Sequence, residues 1–332
     1  MREPAFWWRE VGLLARMLAP LELIYGAIAA RRMATKGVSA GLPVVCVGNF
    51  TLGGAGKTPT VIMLAKMLTD AGARPFCLTR GYGGSAVGPK SVDAHNEVAA
   101  QVGDEAIQIA QSAPIVVARN RVAGAAFARA QGAGLVIMDD GLQNPSLLKD
   151  FTLAVIDARR GVGNEHVFPA GPLRAPLAGQ LDQTDALLVV GDGFNADPVI
   201  IQCRTRGLPI FHGRLVPDPD CVASLKGRDV LAFAGIGDPE KFFATAIGAG
   251  IVVAQREAFD DHHCYTAEEA AGLIMRAEHS GLALLTTEKD HARMTGERLL
   301  EALAAKAHTL RVTMVVEEAD ELRRLVLTKL RR

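Results

Sequence analysis

One stretch of this chain constrains its fold more than any other: VGNFTLGGAGKTPT, Val47 to Thr60. It joins the apolar run LPVVCVGN to TPTVIMLAKMLTDAG, whose spacing predicts a helix closed by Gly72. A glycine loop between a strand and a helix gathers backbone N–H groups around one point, where an anion such as phosphate is held. Gly53, Gly54 and Gly56 let the loop close on phosphate oxygens, Lys57 can reach outer phosphates, and Thr58 offers a hydroxyl to Mg²⁺. Thr51, Leu52 and Ala55 complete the predicted nucleotide cradle, and Pro59 falls in the first helical turn, where its missing N–H does little harm. The usual first glycine is absent, so Thr51 has to shape the turn with a Cβ present.

Further apolar runs follow at 74–79, 114–118, 134–140, 151–157 and 185–191, with helical or loop segments between them. This alternation predicts an α/β fold: a P-loop NTPase-like, mostly parallel sheet with helices on both faces. At 332 residues the chain suits about two domains. Pro, Asp and Gly gather between 192 and 228, where a junction is expected. Strands at 230–235, 250–255, 282–287 and 309–316 then predict a second, smaller α/β domain. The expected division is 1–36 for an N-terminal helical segment, 37–215 for the phosphate-loop domain and 225–332 for the smaller one.

Lys plus Arg and Asp plus Glu both number 36, so no net charge argues for nucleic acid as a partner. Five scattered cysteines without a CxxC pair fit a reducing compartment and no structural zinc. No signal peptide is evident, and charges at Arg16, Glu22 and Arg31 break the early apolar stretch into runs too short to span a bilayer. Trp7, Val11, Leu14, Leu18, Leu21 and Tyr25 nevertheless step by four and three, as one helical stripe does, with Trp8 beside it. Arg2, Arg9, Arg16, Arg31, Arg32 and Lys36 make the segment locally basic. It can lie in a membrane interface or pack on the protein.

LVIMDDG places Asp139 and Asp140 at the carboxyl end of a buried strand, where such sheets bind ligands and a second Mg²⁺ element belongs. A GTPase is disfavoured, because Leu142 breaks Asp-x-x-Gly and TEKD is not a guanine-reading motif. ATP is the expected nucleotide. Asp104 precedes EAIQIAQ and reads equally as a helix cap. His262, beside Asp261, lies in a polar loop and could be a surface residue or part of a metal site. Arg80, Arg119, Arg121 and Arg174 could make ordinary ion pairs; Arg80 and Arg174, set among glycines and prolines, also suit phosphate contact.

The ordered motifs VGNFTLGGAGKTP, TRGYGG, VGDEA, DDGLQN, FPAGPLRAP, FDDHHCYT and TTEKDHAR resemble those of the tetraacyldisaccharide 4'-kinase family over nearly the whole chain. That family typically carries Thr at the position of Thr51. The resemblance implies transfer of the ATP γ-phosphoryl group to the 4'-hydroxyl of a lipid A disaccharide 1-phosphate, at the cytoplasmic face of the bacterial inner membrane. A monomer is expected, with Mg²⁺ held by Thr58 and the aspartate pair. The resemblance also implies that Asp104 acts as base with His262, supported by Asp261, and that Arg80, Arg119, Arg121, Gln143 and Arg174 meet substrate. Under this reading the N-terminal helix reaches the membrane surface. Asn144 and Ala175 depart from the family's usual His and Glu. The competing class is a P-loop ATPase switch of the partitioning or metal-insertion type, which needs no acceptor base.

Overall fold

The computed structural model describes residues 3–94 and 96–331; Arg2, counted in the basic segment, lies outside them. The strands are β1 (Val44–Asn49), β2 (Pro75–Thr79), β3 (Lys90–Ser91), β4 (Ile115–Val117), β5 (Leu135–Asp139), β6 (Phe151–Asp157), β7 (Ala186–Val190), β8 (Ile210–Pro217), β9 (Asp229–Ala234), β10 (Val252–Ala258), β11 (Ala283–Thr287), β12 (Ala307–Leu310) and β13 (Val312–Val316). Among the described residues they form a nine-stranded sheet, ordered β13-β8-β7-β6-β1-β5-β2-β4-β3, and a four-stranded sheet, ordered β10-β9-β11-β12. The small sheet is parallel throughout, and the large one is antiparallel only at β13/β8 and β3/β4.

β1 is buried along its length because both of its faces are covered, as in parallel sheets generally. Its alternate residues serve different cores. Val45 and Val47 pack with Val61, Leu64 and Leu68 of the helix Lys57–Asp70, whereas Val44 and Cys46 pack with Ala125 and Ala128 of the helix Arg121–Ala130. The glycine loop leaves the carboxyl end of β1, and Val47 is in register with Asp139, the last residue of β5. Loop and acidic pair are therefore neighbours by strand order alone.

The expected boundaries need two corrections. The stretch 192–228 is no mere junction, since it holds the helix Asp197–Thr205 and β8, a full member of the large sheet. The run TLRVTMVV is not one strand of the smaller domain either. It divides at Arg311: β12 stays in the small sheet, while β13 returns to pair with β8 from Val312↔Pro217 to Val316↔Gly213. The closing helix Ala319–Leu330 then buries Leu322 and Val326 in the core shared with the P-loop helix. Burial drives this return, because Leu310 fills the second core and Met314 the first.

The N-terminal segment also differs from expectation. Ala5–Trp8 is a single 3-10 turn and the α-helix runs separately from Leu13 to Met33, so Trp7 and Leu14 share no helical stripe. Trp7 is 5% exposed, and its Nε1 donates to Pro169 O at 3.0 Å. Trp8 lies under Arg160, 3.7 Å from its ring centre, and donates to Glu3. The helix rests on the protein along Ala15, Glu22, Gly26 and Met33; Glu22 accepts from the Val167 N–H and meets His166 Nδ1 at 2.6 Å. Its other faces carry exposed Leu13, Met17, Leu23, Ile24 and Ile28. By length and composition this helix is long and apolar enough to cross a membrane, in contrast to the expectation from its charges. The glutamate that breaks the apolar run faces protein.

Candidate active site

Thr51 adopts an extended conformation and is bridged to Leu173, so the position that usually needs glycine's freedom makes no left-handed turn here. Its carbonyl accepts from Asn49 Nδ2 and from Arg174 Nε, both at 2.8 Å. The turn falls instead on Gly53 and Gly56, with φ of 96° and 94°, a region that disfavours any Cβ. Leu52 donates its N–H to Pro172 O, and Ala55 is buried beneath the loop. Gly54 faces outward and Thr58 is buried at the helix start. Lys57 Nζ donates to Asn49 Oδ1 at 3.1 Å and stands 3.6 Å from Asp140 Oδ1; burial lowers its pKa against the pull of Asp140.

The two adjacent aspartates have separate surroundings. Asp140 is gripped by Arg174 Nη1 on both oxygens, and the charges of Arg174 and Lys57 overcome burial to hold its carboxyl low. Asp139 is buried, receives a bond from Thr79 Oγ1 at 3.3 Å, and leaves Oδ1 without a partner among the described residues. Burial, then the charges of Glu105 and Asp140, push it up to about 7. An orphaned, destabilised carboxylate oxygen beside a phosphate loop suits a hard divalent cation with oxygen ligands. Arg121, also buried, donates from Nη2 to Asp139 O and leaves Nη1 unpartnered among the described residues.

Asp104 is the first residue of the helix Asp104–Ala110; Gly103, at φ 88°, holds the cap position that Asp104 was a candidate for. The second sheet's loops reach it from the far side. His262 Nδ1 lies 3.3 Å from Asp104 Oδ2, and Arg293 donates to the same oxygen through Nε and Nη2 at 2.8 and 2.6 Å. Burial works to raise the pKa of Asp104, but the His262 hydrogen bond and the charges of Lys289 and Arg293 hold it well below the usual carboxylate range. His262 is raised, chiefly by that hydrogen bond. Asp261 Oδ1 is 3.9 Å from His262 Nε2, and Tyr82 packs against the imidazole at 4.9 Å between ring centres. Lys289 Nζ donates to Glu105 Oε1 at 2.6 Å. Gly237 sits over the loop so closely that a Cβ there would lie 3.3 Å from Gly54 N. Asp238 pairs with Arg159 and Arg160, and Lys241 with Asp157, along the same seam.

Other expected residues fall around this centre. Arg80 and Arg119 are exposed. Gln143 Nε2 donates to Asn49 O and to Gln180 Oε1, both at 2.7 Å, which ties this side chain to the end of β1. Asn144 Oδ1 closes a local turn onto Ser146, and Ala175 is fully buried. Sequence reasoning passed over Asn49, Glu105 and Arg293. The last two stand inside VGDEA and TTEKDHAR, the two motifs that the fold brings face to face.

A glycine loop leading from a central strand into a helix, with an open buried carboxylate on the next strand, defines a P-loop phosphotransferase or NTPase. Residues 14–331 match the family of tetraacyldisaccharide-1-P 4'-kinase, LpxK. A tetraacyldisaccharide 4'-kinase of Rhodopseudomonas palustris (strain BisB5) is 53% identical over 330 residues, covering 99% of this chain and 97% of the relative. One from Bradyrhizobium sp. (strain BTAi1 / ATCC BAA-1182) is 50% identical over 99% of this chain and 96% of the relative. Among solved structures, an "apo" form LpxK from Aquifex aeolicus in complex with ATP superposes with a TM-score of 0.72 at 25% identity, covering 96% of this chain and 100% of that one. The chain belongs to the tetraacyldisaccharide 4'-kinase family. It is a kinase of lipid A biosynthesis that phosphorylates the 4'-hydroxyl of tetraacyldisaccharide 1-phosphate, and the ATPase-switch alternative is not favoured.

Proposed function

We propose that the phosphoryl donor is Mg²⁺·ATP, held by residues 51–58, and that Asp104 accepts the proton of the sugar hydroxyl. The observation that carries this reading is the meeting of Asp104 and His262, 158 positions apart in sequence, at 3.3 Å. Lys57 and Arg174 supply positive charge where the transferring group gathers negative charge, which is the main task in phosphoryl transfer. Thr58 and Asp139, with Asp140 nearby, would hold the metal, whose chemistry is to neutralise phosphate charge and align the donor. Asp104 orients the hydroxyl and takes its proton as the new bond forms; His262 fixes the carboxylate and shares its charge. Arg121, Arg80 and Arg119 offer cations to the phosphate groups of donor or acceptor. The two sheets act as two units that close on the substrate, the seam of Asp238 and Lys241 forming part of the closed state.

The helix Leu13–Met33 serves as the membrane element at the cytoplasmic face of the inner membrane. Its exposed Leu13, Met17, Ile24 and Ile28 give it an apolar surface, and Arg16, Arg31 and Arg32 suit anionic headgroups. The acceptor's acyl chains can then stay in the bilayer while the sugar enters the cleft. Calorimetric titration with ATP tests the donor site independently of turnover. Binding should tighten with Mg²⁺ in the wild type, lose that gain in Asp139→Asn, and weaken in Lys57→Ala whether or not metal is present. Equal ATP affinity in all three proteins would refute the site.

A further inference from the structure

Arg293 ends the short helix Glu288–Arg293, and its side chain is 8% exposed. One edge of its guanidinium is anchored to its own domain, where Nη1 donates to Gly235 O at 2.8 Å and to Asp290 Oδ1 at 3.1 Å. Asp290 is fully buried and receives hydrogen bonds from Tyr265 OH, Gly235 N and Thr287 Oγ1, so this anchor is fixed on three sides. The other edge, Nε and Nη2, crosses the seam to Asp104 Oδ2. A buried pair of this kind contributes less to net stability than to holding one arrangement in place. The arrangement here concerns a carboxylate at the reacting centre.

We propose that Arg293 is a positioning residue for phosphoryl transfer, which orients the Asp104 carboxylate across the seam between the two sheets. The proposal rests on the reading of Asp104 as proton acceptor. With Oδ2 occupied by Arg293 and His262, Oδ1 carries, among the described residues, the Glu105 N–H bond alone, at 2.8 Å, and is the oxygen left to receive a substrate hydroxyl. The charged and titratable groups facing Asp104 are His262 and Asp261 from the loop after β10, Lys289 and Arg293 from the helix Glu288–Arg293, and Glu105 on its own helix. Lys289 is paired with Glu105, and His262 loses its charge as pH rises. Among the described residues, Arg293 is the cation that contacts Asp104 directly at every working pH. The depressed pKa of Asp104 agrees with this geometry.

The test is a pH profile of kcat/KM for the lipid acceptor in Arg293→Met and Arg293→Lys, with ATP affinity and thermal melting as controls on folding. Arg293→Met should lower kcat by about two decades and move the acid limb upward by roughly one pH unit, with ATP affinity unchanged. Arg293→Lys keeps the charge without the fork, so the limb should stay near its wild-type position while kcat remains reduced. In an Asp104→Asn background, Arg293→Met should add less than about threefold, because both act on one step. An unmoved acid limb in Arg293→Met, together with losses that multiply in the double variant, would overturn the proposal and leave Arg293 as a prop between domains. If Arg293→Met does not fold, wild-type kcat in Arg293→Lys overturns it equally. Near-normal activity in Asp104→Ala would remove the base assignment itself, and this proposal with it.

Discussion

Arg174 donates from Nη1 to both carboxylate oxygens of Asp140, at 2.9 and 2.8 Å, while Asp140 holds a left-handed φ of 52°. Backbone strain of this kind persists only when surrounding contacts enforce it. The same guanidinium donates from Nε to Thr51 O, so one side chain locks the end of β5 to the start of the glycine loop. A lysine cannot reproduce that fork. Arg174→Lys is expected to lower kcat/KM by about two decades, measured in steady state with the fold checked by circular dichroism; an unchanged value would show that the fork is dispensable.

Thr51 invites the substitution that would restore an ordinary glycine loop. Its backbone is extended and bridged to Leu173, so glycine adds freedom to the unfolded chain and relieves no strain. Thr51→Gly should destabilise the protein by roughly 0.5–1 kcal/mol in urea denaturation and should not tighten ATP binding. A more stable variant with higher ATP affinity would mean that the threonine is a compromise.

The two tryptophans and the helix that follows them should behave differently. Trp7 is part of the core, so Trp7→Ala should cost about 3–5 kcal/mol and lower Tm. Met17→Gln, Ile24→Gln and Ile28→Gln together remove exposed apolar surface and should leave Tm nearly unchanged. Sedimentation with anionic vesicles should then weaken by about tenfold or more, given that each CH₂ withdrawn from water contributes about 0.8 kcal/mol. Full sedimentation of the triple variant would place the membrane contact elsewhere.

His262 gives the fold a pH dependence with a definite sign. Its pKa is raised above the usual 6.5, first by the hydrogen bond to Asp104, so its stabilising effect is complete below about 6.5 and is lost as pH rises through the raised value. Replacement by Gln should therefore reduce Tm more at pH 6 than at pH 9. An equal loss at both values would show that the imidazole contributes through packing on Tyr82 alone.

Much of the large sheet was legible because its strands are short, apolar and punctuated by glycine, and the loop Gly53–Thr58 has one physical use at the end of a strand. The acidic pair was legible for the same reason, since Asp139 closes an apolar run. What the sequence hid were partners set by tertiary contact. Nothing local distinguishes Arg293 from any helix-terminal arginine, and its role depends on a seam joining residues 189 positions apart. Trp7 misled because aromatic spacing looks alike whether a chain turns once and enters the core or continues as a helix. The split of TLRVTMVV at Arg311 was likewise invisible, because both halves are apolar and only the two separate cores pull them apart.

The most direct measurement is transfer of label from [γ-³²P]ATP to the tetraacylated disaccharide 1-phosphate in mixed micelles, for the wild type and Asp104→Ala. The wild type should label the lipid, and kcat should fall by about two to four decades in Asp104→Ala with ATP binding nearly intact. ATP hydrolysis without labelled lipid, or transfer by Asp104→Ala at the wild-type rate, would refute Asp104 as the base of a lipid kinase.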